Sequence, residues 1–139
     1  MIVVTADGEY VLLNAIAIAA IAAPFKARLY VNDHSPEATD TLASFTEASF
    51  PGYSPAILIP DGVQLDIITQ SFRLNFLSAS FSPNTFLKDR PRMYGYFVTD
   101  FLNTFCIFAE RFPNRIYLEG PTDIINFRTF LGSLSEFTG

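Results

Sequence analysis

Between residues 93 and 112, apolar and polar positions alternate with a period of two on either side of a short break. Tyr94, Tyr96 and Val98 interleave with Gly95, Phe97 and Thr99, and Cys106, Phe108 and Glu110 interleave with Ile107, Ala109 and Arg111. That alternation predicts two strands folded back on one another. Phe101, Leu102, Asn103 and Thr104 have the length of a hairpin loop, but lack the Asn-Gly or Asp-Gly pair of the tightest turns. This hairpin is the expected centre of a sheet, where Gly95 leaves room on one face for a large neighbour.

One stretch breaks the two-residue period. Residues 9–22 (EYVLLNAIAIAAIA) are helix formers with Asn14 as the polar side chain inside and Pro24 just beyond. Asp7-Gly8 is expected to end the β-prone run 1–5 and to cap this helix. The helix is apolar on every side, so it must be buried, inserted in a membrane or covered by another chain. It falls short of the ~18–20 apolar residues that span a bilayer. Its flanks, Asp7 and Glu9, are acidic where a signal peptide would be basic. Two readings stay open: packing within its own domain or a trimer core, and docking to another protein.

The remaining pattern is of short strands between turn signals. Residues 27–32, 55–60, 65–70, 73–77, 115–118 and 124–131 read as strands. Residues 33–40, Asp61-Gly62, Pro113-Asn114 and 119–121 read as loop or turn. Residues 78–92 read as a long loop carrying Phe81, Phe86 and Leu87, which either folds back on the core or reaches a neighbouring subunit. The expected fold is mostly β, an antiparallel β-sandwich or barrel-like domain with one apolar N-terminal helix. Residues 1–139 make a single domain: an arm and helix over 1–24, a β domain over 25–131 and a frayed tail over 132–139.

Composition sharpens this picture. Hydrophobic residues make up 50% of the 139, with 15 Phe and no Trp, while charged residues are 17%. A chain of this size buries roughly two-thirds of its unfolded surface and needs no disulfide or metal to hold a core. Low charge with many Phe suits a protein whose surface is partly covered by partners. The net charge of −5 argues against nucleic-acid binding, which needs clustered Lys and Arg. The one basic cluster in sequence, Lys88, Arg90 and Arg92, is either a solvated loop or an anionic-partner contact.

Candidate chemistry is sparse. Cys106 stands alone, which excludes an internal disulfide and a Cys-cluster zinc site and favours a small core hydrophobe. His34 has Asp33 and Ser35 beside it, but sequence neighbours on a loop do not make a triad. Asp33, Asp40 and Glu47 match no calcium-loop spacing. No catalytic residue, cofactor or metal is expected, and no enzymatic activity. If Glu110 is buried it needs a partner, for which Tyr53 is the candidate; otherwise it is a solvated strand charge.

Three segments resemble a family of small proteins encoded among the virion structural genes of tailed bacteriophages. They are LYVNDHSPEATDTLASFTEASFPGY (29–53), MYGYFVTD (93–100) and FAERFP (108–113). The family pattern is a strand ending in Asn-Asp, a loop with Ser/Thr-Pro and spaced Thr/Asp, Phe-Thr-Glu-Ala and Gly-Tyr, then Tyr-Gly-Tyr with a trailing Asp, then Ala-Glu-Arg-Phe. Two departures are a missing glycine in the loop after Asp100 and a long 78–92 segment.

The resemblance implies a capsid cement or decoration protein on the outer capsid surface of a virion, made in the cytoplasm of a bacterial host. Its partner would be the major capsid protein, its assembly a homotrimer, with no role for nucleic acid or membrane. The runner-up is a tail, baseplate or fibre component that binds host surface carbohydrate through Tyr53, Tyr117 and Asn114. For the cement reading the expected interface is Tyr10, Leu12, Leu13, Ile16, Ile18 and Ile21 on the helix, with Phe81, Phe86, Leu87, Arg90 and Arg92 on the long loop.

Overall fold

The structure, a computed structural model, describes residues 3–132. It is mostly β, antiparallel in every pairing, with one apolar helix near the N-terminus. In chain order the elements are α1 (Ala6–Ala22), β1 (Lys26–Tyr30), a 3-10 turn (Leu42–Ser44), β2 (Ala56–Ile57), β3 (Pro60–Asp66), β4 (Ser71–Phe76) and β5 (Ala79–Phe81). They continue with β6 (Arg92–Thr99), β7 (Cys106–Tyr117), β8 (Ile125–Phe127) and β9 (Phe130–Gly132). These form two compact units. One takes in Met1–Pro24, Leu58–Ser78 and Arg128–Gly139; the other takes in Phe25–Ile57 and Ala79–Phe127. The tail expected from residue 132 lies, beyond Gly132 itself, outside the described residues.

The second unit contains the hairpin foreseen at 93–112. Its four-stranded sheet runs β2-β1-β6-β7, so β6 is an interior strand, and β5 pairs with β8 as a separate ribbon. From Met93 to Thr99 β6 is buried at every position, because aromatic side chains cover it on both faces. On one, Tyr96 stacks on Phe127 with ring centres 4.2 Å apart. On the other, Tyr30, Phe45, Tyr94 and Phe97 cluster, with Phe45 stacked on Phe97 at 4.8 Å. Tyr94 and Tyr96 therefore do not share neighbours as strict alternation implied. The ladder shifts register between Met93 and Gly95, which breaks the two-residue period at that point.

The same irregularity explains why β7 is longer than its sequence suggested. Residues 113–114 were expected as a turn before a separate strand, yet β7 runs unbroken to Tyr117. Pairing steps from Gly95↔Arg111 to Met93↔Ile116, so residues 112–115 bulge out of the ladder. Pro113, which has no N–H to donate, sits where the ladder asks for none. The hairpin loop closes without glycine: Asn103 takes the left-handed conformation (φ 56°), and the Asp100 carboxylate accepts from the N–H groups of Thr104 and Phe105 at 2.7 Å each. The bond from Phe105 holds the Asp100 carboxyl below its ordinary range.

Two other expectations need correction in this unit. The 78–92 segment contains β5, which pairs Ala79↔Phe127 with β8. The single closing strand expected at 124–131 is two strands, β8 and β9, which interrupt at Arg128-Thr129 and join different sheets.

In the first unit α1 packs on β3 and β4 of the sheet β3-β4-β9. The cap is Thr5, not Asp7: its Oγ1 accepts from the Gly8 N–H at 3.1 Å, and the helix begins at Ala6. Leu13 and Ala20 are buried, Tyr10 meets Phe72 edge-on at 5.1 Å, and the buried Glu9 carboxylate accepts the Phe72 N–H. Asp61-Gly62 is not the turn. Gly62 (φ 92°) lies at a bulge inside β3, between Pro60 and Val63. The turn falls at 67–70, where Asp66 Oδ1 accepts from Ile68 N–H at 3.0 Å and Gln70 adopts φ 59°.

Candidate functional site

The residues with chemistry to offer are tied into the fold. The His34 Nε2 meets Asp40 Oδ2 at 2.7 Å, and the Tyr30 hydroxyl donates to the His34 carbonyl at 2.9 Å, which pins the 33–40 loop. The Glu37 N–H, with His34 next, holds the Asp40 carboxyl below its usual range. Cys106 packs against the Tyr30 cluster, and its Sγ approaches the Phe108 carbonyl at 3.8 Å. Burial pushes its thiol up, the opposite of the lowered value that activates a nucleophile. Among the described residues no group of three or more His, Cys, Asp and Glu is placed to hold a metal ion, and no helix is long and apolar enough to cross a membrane.

Beneath β1 lies a polar network that sequence reasoning assembled from the wrong members. Tyr53 does bond a glutamate, but it is Glu47, whose Oε2 accepts the hydroxyl at 2.7 Å. Glu110 faces Tyr96 across the ladder and accepts its hydroxyl at 2.8 Å. The Tyr53 oxygen also accepts the Leu29 N–H at 3.2 Å. Burial, then the Glu47 bond, raises the Tyr53 hydroxyl well above its ordinary value, so it stays a donor. Tyr53→Phe removes both bonds and strands a buried N–H, so it is expected to cost about 1–2 kcal/mol, read as a lowered midpoint in urea unfolding. An unchanged midpoint would show that water replaces both bonds freely.

The residues expected at an interface divide by exposure. On α1, Ile18 and Ile21 are 71% and 74% exposed, Tyr10 and Leu12 are about half exposed, and Ile16 is intermediate. Leu13 is fully buried because it faces the sheet, and is a core residue of its unit. Phe81 is also core: it stacks on Tyr53 and Phe127 at 5.9 and 6.0 Å. Leu87 is buried too, with its N–H bonded to the Glu119 carbonyl at 2.6 Å. Phe86, by contrast, stands 76% exposed.

Phe86, Leu87, Arg90 and Arg92 do come together, along a hollow of about 790 Å³ in the second unit. Arg90, at φ 46°, pairs with Glu119 at 2.7 Å. A hollow of about 450 Å³ that also borders Tyr94 adds Arg111 and Arg115, which sequence reasoning missed. Their nearness to Arg92 follows from the Arg92↔Tyr117 pairing, which the bulge at 112–115 hides from any reading by alternation. Of the residues considered for sugar binding, Tyr53 is engaged inside the unit, while Tyr117 and the Asn114 amide line the smaller hollow.

No protein-family model, no curated protein and no solved structure matches this chain.

Proposed function

We propose that the protein is a bacteriophage virion structural protein of the capsid cement type, which binds as a homotrimer at junctions between major capsid subunits. The observation that carries this reading is the outer side of α1. A helix that buries Leu13 and Ala20 against its sheet leaves Val11, Ile18 and Ile21 more than 60% exposed. Large aliphatic side chains in water on one helix are satisfied by a second surface, and an interface of ordinary size takes about 800 Å² from each partner. The resemblance of residues 29–53, 93–100 and 108–113 to phage virion proteins supplies the setting, and a cement protein needs no catalytic group.

The test is quantitative mass spectrometry of purified particles. A copy number comparable to that of the major capsid protein supports the cement role. A small fraction of it moves the protein to the tail or a vertex, and absence from particles overturns both virion readings.

A mutational prediction accompanies it. Ile18→Asp with Ile21→Asp changes two exposed side chains, so the circular-dichroism spectrum and melting temperature are expected to stay near the parent's while trimer formation and capsid binding are lost. Sedimentation that finds the parent's assembly state would remove α1 as the interface.

A further inference from the structure

We propose that the paired hollows of the second unit dock an acidic polypeptide segment of a partner protein, one that carries an apolar side chain beside its carboxylates. The proposal concerns an isolated surface and does not rest on the virion reading. The first observation is charge placement. Lys88, Arg90 and Arg92 line one hollow and Arg111 and Arg115 the other, and Tyr94 borders both. Five of the nine Lys and Arg of a chain with net charge −5 thus share one surface.

The second observation is that three of these cations crowd one ring. The guanidinium groups of Arg90, Arg92 and Arg115 lie 5.5, 5.5 and 5.7 Å from the centre of Tyr117. Like charges held this close repel, and the ring quadrupole offsets part of that repulsion. Glu119 neutralises Arg90, and Asp33 neutralises Arg111 at 2.6 Å. Arg92 and Arg115 have no carboxylate partner among the described residues. Of the acids on the walls, Glu47 is committed to Arg28, which leaves Asp89. The surface therefore carries a surplus of positive charge whose natural complement is a carboxylate held by a guanidinium fork.

The apolar part decides among anions. Phe50, Leu87 and Met93 line the larger hollow, and Phe86 stands exposed at it. Guanidinium groups already lie over Tyr117, so a base or sugar that stacked there would have to displace them. The interspersed Asp33, Asp89 and Glu119 would repel a uniform polyanion, but tolerate a segment with one or two spaced carboxylates and an apolar anchor. Arginine beside aromatic side chains is also the composition of protein–protein hot spots.

The experiment measures fluorescence anisotropy of a labelled synthetic peptide of Glu, Phe and Ser with the full chain at low salt. Saturable binding is expected, weakening as salt rises. It should fall about tenfold or more when Gln replaces the peptide's Glu, and likewise in Arg92→Gln with Arg115→Gln, both exposed positions. Lys26→Gln, distant in the sheet register, should bind as the parent does. Absence of saturable binding, or equal binding by the double variant, overturns the proposal. So does displacement by tripolyphosphate or oligothymidine at lower concentration than by unlabelled peptide, which would make the surface a general polyanion site.

Discussion

Gly95→Ala is expected to destabilise the hairpin unit by on the order of 4 kcal/mol, among the largest effects a single methyl group can have. A Cβ at this position would come within 2.3 Å of the Glu110 carbonyl oxygen and 2.6 Å of the Tyr30 ring and hydroxyl. The first obstacle is backbone of the paired strand, so no rotamer change relieves it. The second is the ring that covers the glycine across the ladder, at the register Tyr30↔Gly95. Trimming Tyr30 would remove one clash, leave the other and open a cavity. Guanidinium-chloride unfolding followed by near-ultraviolet circular dichroism reads the effect. An unfolding free energy within about 1 kcal/mol of the parent's would mean that β6 and β7 separate at little cost.

Arg28→Met should be the second most damaging change, at about 2–3 kcal/mol. The Arg28 Nη1 lies 3.1 and 3.0 Å from the two oxygens of Glu47, and its Nε donates to Thr99 Oγ1 at 3.1 Å. Removing one partner of a buried ion pair leaves the other charge without compensation, which costs roughly 3–5 kcal/mol when both are fully buried. Glu47 keeps 33% of its side chain in water, so the expected loss is smaller. Adding Glu47→Leu to Arg28→Met should recover part of the loss, because no charge is then left unpaired, while the Tyr53 hydroxyl loses its acceptor. A double-mutant cycle with no coupling would show that the two side chains are held by their other contacts.

What the sequence made legible was what a two-residue period can encode. Strands β1 and β6 followed from alternation, as did the large neighbour beside Gly95, which is Tyr30. Where the ladder departs from that period, the reading went astray. Pro113-Asn114 imitates a turn but occupies a bulge, and Asp61-Gly62 does the same in β3. The turn at 67–70 carries Ile67 and Ile68, both exposed, and reads as strand in the sequence because its organising signal is the single carboxylate of Asp66. On the surface, Arg90 and Arg92 announced themselves as neighbours in sequence. Arg111 and Arg115 join them through long-range pairing across an irregular ladder. Which faces of α1 are buried was equally hidden, since a helix apolar all round gives no clue until its sheet is in place.

The pairing Ala79↔Phe127 bears on the order in which the chain can fold. The strands β4 and β9, which meet at Asn75↔Phe130, are separated in sequence by most of the hairpin unit. Bringing them together from an open chain means closing a long loop, with a large entropic cost. Once β5 and β8 have paired, the loop still to be closed for β4 to meet β9 is cut to the few residues that join β4 to β5 and β8 to β9. If the hairpin unit forms first, the sheet beneath α1 closes later. Slow formation of β5–β8 would leave that apolar helix uncovered for longest, during the interval when aggregation competes with folding.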